Sequence, residues 1–590
     1  LTATPVITIE RAARNRLGYF NNEASDIYVE AAMKKVRGMA SYRIMRKIVA
    51  HEAVDRIYCR LMFPMVSLMS QFWQQAEFLQ KEQGPIVVIP TNDNYWDMRE
   101  YFKLTGASVP CAIRFLNSIS GFLGRKISGI AFNWAMFPAI MVLHIIKYFR
   151  FESSKPKLKV PVIMPLVWGF PAEDGLMHFT EGKKKCEWNS TSLLGDELDH
   201  GNVGFYYGEW HFDAYQRKIQ EDYMADRGIR CFDPAAFYAN KEHRLEVINI
   251  VRYLMKYLFK EPTIFLEPYE IFRISGHILH NFLKCLLFNY NIEYDVHVEW
   301  AEYSPVSIMR TIVANRFGRS TIGVHHSAPG LTGVFPEIRY LFLNRLCLWN
   351  NKFRRGFGRH WDIMECVPIG IQRLDYLVKA LSPENLKNLR ERVRQRWEVS
   401  GNIVVITLPN YPVYKNYQDP KRFPRLYQGI LYCLEGIPDL WAVIRPRVPQ
   451  AWHDYLREPL IKKLYSHPRA ICDNEELSTY EWIAVADVVV SAGVSSITLE
   501  SIAAGKKCFT FDGDGQAGLI FAGYGKDFIF TAPEHLVRVV KGALCNDLSL
   551  DCRWQQFAED MTYFRDGNNT KRFREAIWDL VDKNKDDSKK

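Results

Sequence analysis

Short apolar runs alternate with helical stretches along most of this chain, and this alternation restricts the fold more than any other feature. In the last third, the runs ADVVV and CFTF flank the segment SAGVSSITLESIAAGKK, in which Ile497, Leu499 and Ile502 supply the apolar stripe of a short helix ending at Gly505. A strand, a helix and a second strand in this order form a parallel pair with a helical crossover. The pattern therefore predicts an α/β fold.

The alternation occurs in two successive series. The first contains PIVVIPTND, VPVIMPLVW, YDVHVEWAE, TIGVHH and LCLWN, and the second contains NIVVITLPN, LWAVIRP, ADVVVSAG and DFIFTAP. We predict two doubly wound Rossmann-like domains with a helical N-terminal extension and C-terminal helices. The predicted bounds are 1–82 for the helical N-terminal region, 83–385 for the first domain, 400–545 for the second and 553–583 for the C-terminal helices.

Composition narrows the partners. The chain of 590 residues has a formal net charge of +10, which suits an acidic partner such as a nucleotide, a polyanionic polymer or an anionic membrane surface. It contains no zinc finger, RNP-like motif or arginine-rich tract, so we expect no nucleic-acid partner. Its 12 cysteines include no C-x-x-C pair, which favours a reduced, cytoplasmic protein.

One segment is long enough to concern a membrane. Residues 127–146 include no Asp, Glu, Lys or Arg, but they contain Asn133, Pro138 and His144. We expect a buried or interfacial amphipathic helix, with a membrane span as the alternative. The predicted location is cytoplasmic, with peripheral contact to the inner face of the cell membrane as an open alternative.

Two adjacent serines follow the ADVVV strand. Ser495 and Ser496 stand at or near the start of the next helix, where free backbone N–H groups, hydroxyls and the helix dipole together suit a phosphate. The alternative is that Ser495 only caps the helix.

The sequence around these serines resembles a known family. The stretch RAICDNEELSTYEWIAVADVVVSAGVSSITLESIAAGKKCFTFDGDG resembles the donor half of GT-B nucleotide-sugar glycosyltransferases. TIGVHHSAPG, VPIGIQRLDYL and LWAVIRPRVPQ resemble segments of bacterial capsule, surface-polysaccharide and teichoic-acid-type polymer transferases. The resemblance makes the first domain the acceptor domain and the second the nucleotide-sugar donor domain.

The resemblance also implies roles for donor-site residues. Ser495 and Ser496 would hold the donor's phosphates, and Glu500 would bind the ribose hydroxyls. Arg445 and Arg447 suit a diphosphate because guanidinium pairs bidentately with phosphate oxygens, although Arg447 stands where those transferases have histidine.

Glycosyl transfer also needs a base for the acceptor hydroxyl. Glu299, Glu302 and His326 follow or end first-domain strands, the edge where catalytic groups collect, and we predict them as catalytic candidates. The ordinary alternatives are a solvated glutamate for each carboxylate and a core residue for the histidine.

These observations predict a glycosyltransferase that moves a sugar from a nucleotide-activated donor to a surface polysaccharide or a lipid-linked glycan. Alternatives are a polyol-phosphate transferase with a CDP-activated donor, a nucleotide-sugar epimerase, and a non-catalytic glycan-binding scaffold. Asp512 and Asp514 match the metal-binding D-x-D of the GT-A fold, but they end a late strand of the second domain. We therefore predict a metal-independent enzyme without a cofactor.

Overall fold

The computed structural model describes most of both predicted sheets. The described residues are 6–7, 22–59, 61–62, 87–88, 158–166, 176–179, 182–185, 202–207, 221–222, 225, 228–234, 237, 241–261, 267, 269–299, 305–324, 341–350, 362–408, 422–446, 459–472, 477–493, 496–511, 529–546, 556–557, 559–560 and 564–587.

Strands and helices alternate through the described residues. The strands are β1 Val6–Ile7, β2 Val87–Val88, β3 Leu158–Lys159, β4 Val162–Leu166, β5 Leu176–Phe179, β6 Gly182–Lys185, β7 Val203–Tyr207, β8 Arg230–Phe232, β9 Ile292–Glu293, β10 Val296–Glu299, β11 Ser320–Val324, β12 Phe342–Leu348, β13 Asp362–Pro368, β14 Asn402–Leu408, β15 Leu440–Pro446, β16 Ala470–Cys472, β17 Val488–Ser491, β18 Lys507–Phe511 and β19 Ile529–Phe530. The helices are α1 Asn22–Val36, α2 Ala40–Val49, α3 Lys241–Lys260, α4 Tyr269–Asn291, α5 Pro305–Arg316, α6 Leu374–Ala380, α7 Pro383–Trp397, α8 Arg422–Gly436, α9 Pro459–Tyr465, α10 Thr479–Val485, α11 Ser496–Ala503, α12 Pro533–Leu544 and α13 Asn569–Asp587.

The first domain is built on a seven-stranded parallel sheet with the order β13-β12-β11-β10-β4-β7-β8. From β4 the chain adds β7 and β8 on one side, and from β10 it adds β11, β12 and β13 on the other. The direction of winding therefore reverses between β4 and β10. In open α/β sheets, ligands bind outside the carboxyl ends of the strands at such a switch point.

The second domain repeats this arrangement in a six-stranded parallel sheet with the order β16-β15-β14-β17-β18-β19. Winding proceeds from β14 to β15 and β16 in one direction and from β17 to β18 and β19 in the other. The switch point of this sheet lies between β14 and β17. Because right-handed crossovers on the two sides place helices on opposite faces, both faces are covered.

Burial on both faces explains the composition of the central strands. Val488, Val489 and Val490 of β17 are fully buried, as are Val405 and Ile406 of β14. A strand covered on both sides needs a continuous apolar run rather than alternation, and β-branched side chains pack well on the pleated surface. The predicted class, two doubly wound α/β domains with helical extensions, is confirmed.

The terminal helices pack on the first domain. Apolar residues of α1 and α2 share one buried cluster with those of α3, α4 and α5. Phe573, Ile577 and Val581 of α13 lie in the cluster that also contains residues of β4, β7, β10 and β11. The chain therefore returns to the first sheet after completing the second, while the predicted domain boundaries themselves stay a prediction.

Polar contacts hold α13 in place. Asp375 of α6 accepts hydrogen bonds from the backbone N–H groups of Asn569 (3.1 Å) and Thr570 (2.7 Å), so it caps the start of the helix. Near the other end, the side chain of Asn584 donates to the Asp295 carbonyl at 2.8 Å. Gly370 has a φ of +83°, and a β-carbon there would stand 2.1 Å from the Asn569 side chain, so only glycine fits.

Among the described residues, no helix is both long and apolar enough to cross a bilayer. Residues 127–146, predicted as a buried or interfacial helix, lie outside the described residues.

Candidate active site

Four polar residues form one row across the carboxyl edge of the second sheet. Arg445 of β15 is in register with Thr407 of β14, Thr407 with Ser491 of β17, and Ser491 with Thr510 of β18. Neighbouring strands are about 4.8 Å apart, so Arg445 and Ser491 stand roughly 10 Å from each other across the strand between them. The row crosses the switch point between β14 and β17.

The turn after β17 leads into α11 at this edge. Gly493 has a φ of +92°, which reverses the chain at little steric cost because glycine has no β-carbon. The Thr498 hydroxyl of α11 donates to the Ser491 hydroxyl at 2.9 Å, and Ser491 Oγ lies 3.1 Å from Thr510 Oγ1. These buried hydroxyls fix the start of α11 to the strand ends, and Ser496 is the first residue of the helix. Ser495 lies outside the described residues.

The end of α11 agrees with the sequence prediction. Gly505 has a φ of +80°, and its N–H donates to the Ile502 carbonyl at 2.9 Å. The Lys506 amine donates to the carbonyls of Ala484 (2.7 Å) and Ala486 (2.9 Å), and its burial lowers its pKa to about 8. Lys506 thus joins α11 to the end of α10.

Arg445 lies at the start of α10. Its side chain is buried, with 8% exposure, and its Nε is 3.4 Å from the Thr479 hydroxyl. Ser478 caps this helix: its hydroxyl accepts from the Glu481 N–H at 3.1 Å, and the Glu481 carboxylate accepts from the Ser478 N–H at 2.7 Å. Arg447, the other predicted arginine, lies outside the described residues.

Glu500 lies in the middle of α11 and is fully buried. Its Oε2 accepts a hydrogen bond from the Tyr480 hydroxyl at 2.8 Å, and its Oε1 is 3.3 Å from Arg373 Nε. That approach is an ion-pair distance without hydrogen-bond geometry, so Oε1 accepts no hydrogen bond from the described residues. Arg373 comes from the segment that links β13 of the first domain to α6, and Tyr376 of α6 stacks on Tyr480.

Glu299 ends β10 at the switch point of the first sheet and is fully buried. Its Oε2 accepts from Arg310 Nη1 at 2.8 Å, and its Oε1 is 3.1 Å from His297 Nδ1. Burial alone would raise the pKa of this carboxyl, but the charges and hydrogen bonds of Arg310 and His297 outweigh it and lower the pKa to about 2. Glu302 and His326, the other catalytic candidates, lie outside the described residues.

A buried tyrosine extends the Glu299 cluster. The Tyr206 hydroxyl of β7 is 3.0 Å from His297 Nε2, so Tyr206, His297, Glu299 and Arg310 form a continuous polar chain. Phe288 of α4 packs edge-on against the rings of both Tyr206 and His297. An apolar wall of this kind keeps water away from the chain and strengthens the interactions inside it.

The structure thus brings Arg445, Ser496 and Glu500 to elements at the carboxyl edge of the second sheet, and Glu299 to that of the first. Sequence reasoning missed Arg373, Tyr480, Tyr206, His297 and Arg310. A signal existed only for His297, which stands two residues before Glu299 on one strand and therefore faces the same side. No pattern in the sequence joins Arg373 to Glu500, because they belong to different domains.

Among the described residues, no group of His, Cys, Asp and Glu could hold a metal ion. Asp512 and Asp514 lie outside those residues. What the second sheet presents is a helix N-terminus, hydroxyl groups and a guanidinium, which are suited to an anion, together with a buried carboxylate, which is suited to hydroxyl donors.

No family model matches the chain, and no curated protein matches it. Among solved structures it is similar to the wall teichoic acid polymerase TagF, with 11% identity, a TM-score of 0.40 and coverage of 79% of this chain and 99% of that one. It is also similar to UDP-GlcNAc 2-epimerase from Neisseria meningitidis bound to UDP-GlcNAc, with 11% identity, a TM-score of 0.39 and coverage of 72% and 100%. A third is the Anabaena protein HepE in complex with UDP and glucose, with 12% identity, a TM-score of 0.38 and coverage of 72% and 99%.

The polymerase and the epimerase are of the classes that the sequence resemblance named. At these identities and TM-scores, similarity carries no information on activity. The functional argument therefore rests on the residues of the chain itself.

Proposed function

We propose that this protein is a glycosyltransferase that binds a nucleotide-activated sugar at the switch point of the second sheet. The observation that supports the proposal is the shared position of Arg445, Ser491, Ser496 and Glu500 at one sheet edge. A nucleotide diphosphate carries negative phosphates at one end and ribose hydroxyls nearer the other. The second sheet offers groups of matching chemistry for both.

The phosphates are assigned to the α11 end of the site. Ser495 and Ser496 offer hydroxyls and backbone N–H groups at the helix start, and Arg445 and Arg447 offer guanidinium groups. A guanidinium and a helix N-terminus both stabilise the charge that develops on a departing nucleotide diphosphate. We therefore propose that transfer proceeds without a metal ion.

The ribose is assigned to Glu500. A buried carboxylate can accept about four hydrogen bonds, and Oε1 accepts none from the described residues. A ribose hydroxyl is a donor of the required kind. Tyr480 and Arg373 hold the other oxygen and the charge of the same carboxylate, which keeps it oriented.

The acceptor is assigned to the first domain. Glu302 and His326 are the candidate bases for the acceptor hydroxyl. Glu299, with a pKa of about 2, remains ionised at neutral pH but has little tendency to take a proton. The proposed acceptor is a growing surface polysaccharide or a lipid-linked glycan, reached from the cytoplasmic face of the membrane. The net charge of +10 favours such an acidic surface.

Nucleotide binding is the first test. Thermal unfolding is measured with UDP, GDP, CDP, CMP, ADP and dTDP, with and without magnesium, for wild type, Ser496→Ala, Arg445→Ala and Glu500→Gln. Ligand at a hundred times its dissociation constant stabilises the fold by roughly 2.7 kcal/mol. Arg390→Ala is the matched control, because Arg390 is an exposed arginine 3.9 Å from Asp487. It should keep the full shift.

The proposal predicts that one nucleotide raises the melting temperature without magnesium and that the three site variants reduce the shift. If no nucleotide shifts wild type, or if Arg390→Ala loses as much as Arg445→Ala, the donor site is wrong. With the base known, product analysis on the matching activated sugar separates transfer to an acceptor from epimerisation. A response confined to CDP and CMP would direct the assay to a polyol-phosphate donor.

A further inference from the structure

The buried ion pair between Glu299 and Arg310 joins two elements that follow each other in the chain. Glu299 is the last residue of β10, and Arg310 lies in α5, which begins at Pro305. Residues 300–304, which include the candidate base Glu302, connect the two elements. The contact of 2.8 Å between Arg310 Nη1 and Glu299 Oε2 therefore ties together both flanks of this connection.

The tie is buried and backed by further contacts. Glu299 has no exposed side-chain surface and Arg310 has 19%. The second oxygen of Glu299 faces His297, whose other ring nitrogen lies 3.0 Å from the Tyr206 hydroxyl of β7. The carboxylate is thus held on one side by α5 and on the other by two strands of the sheet. This arrangement leaves it little freedom to rotate.

Buried ion pairs are weak evidence for stability, because desolvation offsets much of the attraction between the charges. Their position can still serve function. This one lies at the switch point between β4 and β10, where the fold places ligands. Catalytic groups have to be held close to their productive geometry, and supporting residues one step removed from the substrate provide that constraint.

We propose that Glu299 and Arg310 form a clamp, supported by His297 and Tyr206, that positions the connection 300–304 and with it Glu302. Glu299 is then a positioning residue rather than the base. The inference rests on the proposed function for the role of Glu302. The clamp itself, a tie that orders residues 300–304, can be measured whether or not the transferase assignment is correct.

The kinetic test compares Glu299→Gln, Arg310→Gln, Arg310→Lys and the double variant Glu299→Gln/Arg310→Gln. Since misplacing a reacting group by 1 Å can cost 100-fold, we expect each glutamine variant to lower kcat by about 100-fold. The KM for the donor should not change. The double variant should be no slower than the slower single variant, because one broken clamp cannot be broken again. Arg310→Lys, which keeps the charge, should recover part of the rate.

The activity-independent test is hydrogen exchange of the peptide that covers residues 300–304. Exchange should become faster in Glu299→Gln and Arg310→Gln, and by less in Tyr206→Phe, which removes only the outermost contact. Arg345→Gln is the matched control, because Arg345 is a buried arginine of the same sheet that pairs with Asp579 of α13 at 2.6 Å. It should leave exchange at 300–304 unchanged.

The results separate the two ideas. Faster exchange at 300–304 with an intact nucleotide shift supports the clamp, even if no transfer activity is found and the proposed function fails. Unchanged exchange in both glutamine variants overturns the clamp. So do rate losses that multiply in the double variant, because the two residues would then act separately. If Glu299→Gln does not fold, Arg310→Lys and Tyr206→Phe carry the same exchange test.

Discussion

Two fully buried glutamates lie at the carboxyl edges of the two sheets, and they differ in how their oxygens are used. Glu299 of the first sheet faces Arg310 and His297, both from its own domain. Glu500 of the second domain is paired with Arg373, from the segment that follows the first sheet, and it keeps one oxygen without a hydrogen bond from the described residues. The first carboxylate is satisfied by its own domain, whereas the second has capacity for a ligand.

The difference suggests distinct uses for the same side chain. A carboxylate between two cationic partners stays ionised and fixed, which suits support of neighbouring groups. A carboxylate with an unused acceptor inside a buried site remains costly until a donor arrives, which suits recognition. If this comparison is correct, removing Glu299 should affect stability most, and altering Glu500 should affect nucleotide binding most.

The largest effect is expected for Glu299→Ala. It leaves Arg310 and His297 without their carboxylate, and breaking a buried pair from one side costs about 3–5 kcal/mol. The free energy of unfolding from urea titration should fall by this amount. Arg390→Ala, which breaks an exposed contact, should change it by less than about 1 kcal/mol. Equal losses in the two variants would mean that the Glu299 cluster contributes no special stability.

Acid should weaken the same cluster. The pKa of Glu299 is about 2 in the folded protein, below its ordinary 4.5, so the unfolded chain takes up the proton first as the pH falls. The stabilisation is complete above pH 4.5 and is lost as the pH falls towards 2. By this linkage it amounts to about 3 kcal/mol.

The measurement is the free energy of unfolding at successive pH values for wild type and Glu299→Gln. The difference between the two proteins should shrink steadily between pH 4.5 and pH 2. A difference that stays constant over this range would show that Glu299 titrates alike in the folded and unfolded chain. That result would contradict the ion pair as its dominant environment.

For Glu500 the expected effect is on ligand binding. Glu500→Gln keeps the shape but weakens the acceptor, and a hydrogen bond to a charged group contributes about 1.5–3 kcal/mol, or roughly 10- to 150-fold in affinity. Calorimetry with the nucleotide identified by thermal shift should show this loss. Tyr480→Phe removes the neighbouring hydroxyl and leaves Oε1 in place, so its affinity should change less. An equal loss in both variants would place the ribose elsewhere.

Sequence reasoning predicted the fold well because burial on both faces of a parallel sheet leaves a local signature. Runs such as Val488 to Val490, together with Gly505 at a helix end, are visible without any tertiary information. The position of the serine turn followed from topology alone, since the turn after a strand must lie at the carboxyl edge. The order of strands, and with it the two switch points, could not be read from the chain.

The partners of the site residues were not predictable for a related reason. Arg373 and Glu500 are 127 positions apart, and Tyr206 and His297 are 91 positions apart, so no local spacing connects them. Glu299 was predicted as a catalytic candidate because it ends a strand. Whether a carboxylate at a strand end is exposed or enclosed depends on the helix that packs there, and that helix supplies Arg310.

The smallest expected effect compares single hydroxyls at the two switch points. Ser491→Ala removes the hydroxyl that accepts from Thr498 in the second sheet, and Tyr206→Phe removes the one beside His297 in the first. Each should lower the free energy of unfolding by about 1 kcal/mol, the usual net contribution of one hydrogen bond. Only Ser491→Ala should also weaken nucleotide binding, because only Ser491 fixes the start of α11. If Tyr206→Phe weakened nucleotide binding equally, the two edges would act as one site, and the contrast between Glu299 and Glu500 would describe two sides of a single pocket.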